Sequence, residues 1–142
     1  MTTLPALILI IIFTFLSGLH IYWAFGGRWA SDGVFPTKED KTEFPMPGII
    51  PTLIVAFGLL FFAFIASLKI FHFRLPFFHE IISKYGLWAI AGIFLVRAIG
   101  EFNYVGLFKK VRHTTFGIKD TKIYTPLCLV IGISALILAL SN

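Results

Sequence analysis

Four long apolar runs, with the charge gathered between them, dictate what this 142-residue chain can fold into. The runs cover residues 4–25, 48–71, 85–108 and 124–140. Each is close to the roughly 20 helical residues that cross a bilayer. In hydrocarbon a lone segment satisfies its own backbone groups only as a helix. The expected fold is all-α, a four-helix transmembrane bundle forming one integral membrane domain over residues 1–142. Composition agrees: 13% of residues are charged, against about a quarter in a soluble domain. The first run lacks a basic start and a small-residue cleavage site, so it is expected to stay as a span. Cys128 is the single cysteine and lies in the fourth run, which excludes an intrachain disulfide.

The net charge of +5 reports topology. Arg28, Lys38 and Lys41 occupy the first loop; Lys109, Lys110, Arg112, Lys119 and Lys122 occupy the third. The opposite side has Lys69, Arg74 and Lys84. Basic loops stay in the cytoplasm, so loops one and three are expected inside and both termini outside, in the cell inner (plasma) membrane. The lipid bilayer is the expected partner; nucleic acid is not.

In the first loop, "FPTKEDKTEFPMP", Pro36, Pro45 and Pro47 forbid a regular helix, and Trp29, Phe35 and Phe44 should lay it back on the bundle mouth. The second, "KIFHFRLPFFHEIISK", reads as a turn at headgroup level with His72, Arg74 and His79 at the interface. A faint repeat relates Gly18, Tyr22, Ala24 and Arg28 to Gly100, Tyr104, Gly106 and Lys110, with Pro51 and Pro126 opening the second and fourth spans.

Chemistry concentrates in one half of the bundle. In "YGLWAIAGIFLVRAIGEFNYVGLFKK" the spacing of Arg97, Glu101 and Tyr104 places them on one helical face that continues back through Ile93, Ile90 and Gly86. Ala89, Gly92 and Gly100 form a shoulder suited to close helix contact. Intramembrane charges rarely face lipid, so Arg97 and Glu101 are expected in the interior. At 1.5 Å per residue Glu101 should lie about 10 Å inside its helix end. His20, in "SGLHIYWAFGGRW", should lie at a similar depth and turn inward to Glu101, Arg97 or the third-span backbone.

Three functions are compatible with this pattern. The leading one is binding of a small amphipathic or lipid-like ligand. His20, Arg97, Glu101 and Tyr104 would supply its polar end, and Tyr22, Trp23 and Phe102 its walls. An alternative is a membrane-embedded enzyme with His20 and Glu101 as catalytic proton donor and acceptor. The other alternative is a structural or accessory protein with Arg97–Glu101 as helix glue. One His, one Glu and one Cys on three spans match no metal-ligand motif, and no second span histidine is present for haem; no metal and no cofactor are expected. In the third loop Lys109, Lys110 and Arg112 could attract anionic headgroups or a phosphate, or act only as positive-inside topology signals, and Asp120 is expected to pair with Lys122 or Arg112.

The stretches "HIYWAFGGRW" and "RAIGEFNYVGLFKKVRHTTFGIKDTKIYTPL" resemble a bacterial family of small four-span membrane proteins defined as a domain of unknown function. The resemblance covers nearly the whole chain and implies the four-helix fold without an activity. Matching residues are His20, Tyr22, Trp23, Gly27, Arg97, Glu101, Phe102, Lys109, Thr114, Phe116, Asp120 and Pro126. In architecture alone, the chain is also similar to the sterol-isomerase and sigma-2-receptor-like superfamily, whose acidic and His residues serve proton shuttling or ligand binding; His20 and Glu101 fit that pattern.

Overall fold

The computed structural model describes residues 2–31, 47–71, 78–100 and 102–141. The long helices are α1 (Thr3–Ala24), α2 (Ile49–Ser67), α3 (Phe78–Ile99) and α5 (Thr125–Leu140), with a short α4 (Thr115–Lys119) before α5. Residues Asp120–Tyr124 join α4 to α5 through a widened π-type turn, making Thr115–Leu140 one continuous span. All four spans are long and apolar enough to cross a membrane.

The third span departs most from the sequence reading. It begins at Phe78, not Tyr85, and ends at Ile99, not Phe108. Gly100 stops it: φ is +81° there, and a Cβ would stand 1.8 Å from the Val105 carbonyl oxygen. Only glycine accepts that backbone and that approach. Tyr104 therefore does not continue a helical face with Arg97. The fourth span begins at Thr115, earlier than the expected 124. Pro126 explains its widened turn. A proline cannot donate to the carbonyl one turn back, and its ring crowds that carbonyl. The preceding turn opens instead, with Thr125 N–H bonding to the Asp120 carbonyl five residues earlier.

The helices close in a ring: α1 packs on α2, α2 on α3, α3 on α5 and α5 on α1. This order places α1 and α3 on a diagonal. Phe13, Phe62 and Phe94 fill the centre, with Phe13 5.6 Å from Phe62 and 5.5 Å from Phe94 between ring centroids. Gly132 lets α5 close on Leu95, where a Cβ would lie 2.7 Å from the leucine side chain. Ser17, fully buried, donates to the Ala56 carbonyl at 2.8 Å and ties α1 to α2.

The buried stripe of α3 is Ser83, Leu87, Ile90, Ala91 and Ala98. Ile90 was anticipated, but Ile93 is 53% exposed, and Ala89 and Gly92 face outward. The packing face is rotated from the one expected, with Leu87, Ala91 and Ala98 buried on it. The proposed repeat has no structural counterpart: Gly18 and Tyr22 are helical, whereas Gly100 and Tyr104 lie beyond α3. The expectations for Phe35 and Phe44, for His72 and Arg74, and for Glu101 itself fall outside the described residues.

Candidate functional site

The site is organised by Asp120, which has no solvent exposure. The widened turn delivers its carboxylate to the end of α3. Its Oδ1 accepts from Arg97 Nη2 at 2.9 Å. Its Oδ2 accepts from Lys109 Nζ at 3.0 Å and from the Gly106 amide at 2.8 Å. Lys109 Nζ also donates to the Gly106 carbonyl at 3.0 Å, and Lys109 is 3% exposed. Three chain segments therefore meet at one carboxylate. An isolated buried charge costs several kcal/mol; satisfied lone pairs and close counter-charges offset that cost.

The segment between α3 and α4 is built to reach this point. Gly106 has φ +92°, and a Cβ on it would stand 2.4 Å from the Ile99 carbonyl oxygen, so the chain folds back tightly across Gly100. The Leu107 amide donates to the Ala98 carbonyl at 2.8 Å, extending the last turn of α3. The amides of Lys110 and Val111 share the Asn103 carbonyl. Arg112 Nε donates to the Lys109 carbonyl at 3.1 Å. Thr114 caps α4 by accepting from the Gly117 amide at 3.0 Å. Phe102 is held at φ +69° and stacks near Phe108, their centroids 6.2 Å apart. A non-glycine residue in that region is strained and persists only where its surroundings enforce it.

These contacts correct two expectations. Asp120 pairs with Arg97 and Lys109, not with Lys122 or Arg112. Lys109 is an interior ligand of that carboxylate, not a headgroup contact. Arg97 lies in the last turn of α3, where a cation also suits the helix dipole. Its side chain is 32% exposed. Its second terminal nitrogen, Nη1, is buried without a hydrogen-bond partner among the described residues.

His20 is placed differently. Its Nδ1 donates to the Leu16 carbonyl at 2.7 Å, one turn back on its own helix. Its ring meets Trp23 edge-on at 5.0 Å. Trp23 Nε1 in turn donates to the Trp29 carbonyl at 2.8 Å, folding the chain after α1 back on itself. Tyr22 lies over Gly27, and with Thr14, Phe15, Gly18, Leu19 and Trp29 it lines a cleft of about 460 Å³ on α1. Among the described residues His20 makes no hydrogen bond to α3. The sequence-derived set thus divides: Arg97 joins Lys109 and Asp120, His20 joins Trp23, and Tyr22 lines the α1 cleft. Lys109 and Asp120 were not foreseen as site residues, although both carry the family resemblance.

Four membrane-length helices around an aromatic core, with one buried charged cluster at a bundle end, define a multi-pass membrane protein. The family model described as "Protein of unknown function (DUF3995)" matches residues 13–135, and the chain belongs to that family. The match takes in Arg97, Lys109 and Asp120. No curated protein and no solved structure matches the chain.

Proposed function

We propose that the bundle is a binding module for a small amphipathic, lipid-like ligand whose polar end is anchored at Arg97. The observation that carries this is the state of the Arg97 guanidinium. Nη2 is fixed by Asp120, while the buried Nη1 meets no hydrogen-bond partner among the described residues, on a side chain one-third exposed. A guanidinium held by one carboxylate is a pre-oriented fork for a second anionic or carbonyl oxygen. Phe102 and Tyr104 follow directly on the helix end, and Glu101 lies between Arg97 and them in sequence. His20, Tyr22 and Trp23 would contribute walls from α1. The ligand end faces the cytoplasm, both termini lying outside; a cytoplasm-dependent reporter fused after Asn142 should be inactive.

A structural role is favoured by one observation: Asp120 is fully buried and fully satisfied, and needs no ligand. Mass spectrometry of molecules co-purified with wild type, Arg97→Lys and Arg97→Gln separates the two readings. Arg97→Lys keeps the charge opposite Asp120 but loses the fork. If the anchor is Arg97, both variants lose a co-purified species that wild type retains. Equal content in all three sinks the binding reading and leaves the cluster as a helix staple.

A further inference from the structure

The opposite end of the bundle holds a second, smaller constellation, independent of the Arg97 site. A pocket of about 370 Å³ is lined by Lys69, His79, Glu80, Ser83 and Lys84, a volume within the roughly 300–1,000 Å³ of small-molecule sites. Its position follows from helix packing. Ile65 presses on Gly86, where a Cβ would lie 2.8 Å from the isoleucine, so α2 and α3 touch closely there. Lys69 follows Ile65 by one turn, and Ser83 and Lys84 precede Gly86. The pocket opens just where that tight contact ends.

His79 builds one wall. Its Nε2 donates to the Leu68 carbonyl at 3.1 Å, satisfying a carbonyl at the end of α2 and tying it to the first turn of α3. Ser83 is 3% exposed, and its Oγ is buried with no partner among the described residues. A buried hydroxyl without a partner is costly, so a ligand oxygen that meets it recovers that cost. Burial lowers the pKa of Lys69 from its ordinary value, because its ammonium is partly withdrawn from water. The pocket sits at the facing ends of two membrane-length helices, α2 and α3. It combines two ammonium groups with one carboxylate, so it suits neither a simple anion nor a simple cation.

We infer that this pocket binds the headgroup of a phosphoethanolamine lipid, with Lys69, Lys84 and the Ser83 hydroxyl on the phosphate and Glu80 on the lipid ammonium. The carboxylate is what selects the zwitterion. It attracts a primary ammonium that can donate hydrogen bonds, repels a purely anionic headgroup, and gains less from a quaternary ammonium that cannot donate.

The test is native mass spectrometry of the intact protein in detergent, titrated separately with phosphatidylethanolamine, phosphatidylglycerol and phosphatidylcholine. Wild type should retain phosphatidylethanolamine at the lowest lipid concentration. Glu80→Gln should weaken phosphatidylethanolamine and strengthen phosphatidylglycerol, reversing the order. Lys69→Gln/Lys84→Gln should weaken both by roughly tenfold or more, from the contribution of each basic group at a membrane surface. Lys122→Gln, an exposed lysine at the other end, should change neither. Ser83→Ala should raise the melting temperature without lipid, by removing the unpaired hydroxyl, yet reduce the stabilisation that phosphatidylethanolamine adds. Equal retention of the three lipids by wild type, an unchanged order in Glu80→Gln, or loss in Lys122→Gln as large as in the double variant overturns the inference. So does displacement of the lipid by soluble phosphoethanolamine at equal concentration, which would make the lipid tails irrelevant.

Discussion

The α1–α2 pair and the α3–α5 pair each place a polar group inside an apolar bundle, but by different chemistry. Ser17 meets the Ala56 carbonyl through one neutral bond between two regular helices. His20 is satisfied by Leu16 within the same helix. In α3–α5 a charged group is buried instead, and it takes Arg97, Lys109, the Gly106 amide, two positive-φ glycines and a widened turn to accommodate it. A neutral hydroxyl can use a carbonyl already present on a helix. A carboxylate requires counter-charge from outside its own helix, so the chain between the helices must be shaped to bring it. Order in that segment is thus a consequence of the charge it carries.

The largest effect should follow from breaking the charged side of this contrast. Asp120→Asn leaves Arg97 and Lys109 without their counter-charge and is expected to cost about 3–5 kcal/mol, read as a fall in thermal stability in detergent. The triple change Arg97→Met, Lys109→Met and Asp120→Leu should recover much of that loss. A cost for Asp120→Asn no larger than for Ser17→Ala would show that the two pairs do not differ.

Gly106→Ala comes next. Its new methyl meets the Ile99 carbonyl at a backbone conformation that favours glycine, and strain of this kind costs roughly 1–3 kcal/mol. Protease cleavage between Gly100 and Thr114 should accelerate. Unaltered cleavage would mean that the folded-back segment does not depend on that close approach.

Ser17→Ala tests the neutral side. Hydrogen bonds between membrane helices average about 0.6 kcal/mol, so only a small shift is expected in the same assay. Smallest of all should be His20→Phe and Glu101→Gln, each within about 1 kcal/mol: the Leu16 carbonyl keeps its backbone bond, and Arg97 keeps Asp120. A loss in Glu101→Gln equal to that in Asp120→Asn would restore Glu101 as the principal counter-charge of Arg97.

The sequence by itself determined the class of fold. Apolar run length and backbone self-satisfaction are local properties, so four spans and an all-α bundle could be read without coordinates. It also determined that Arg97 needed a partner, since an intramembrane guanidinium is costly anywhere. Which partner was decided only by tertiary structure. Helical spacing favours Glu101, four residues away, over Asp120, twenty-three residues away. That preference assumes a helix continuing to Phe108, and α3 stops at Ile99 because Gly100 turns to positive φ with Val105 against it. The diagonal placement of α1 and α3 is likewise invisible in a hydropathy pattern. Periodicity reports the faces of one helix, whereas charge pairing depends on how the chain reverses between helices, and that is settled by a few backbone angles and close contacts that composition does not record.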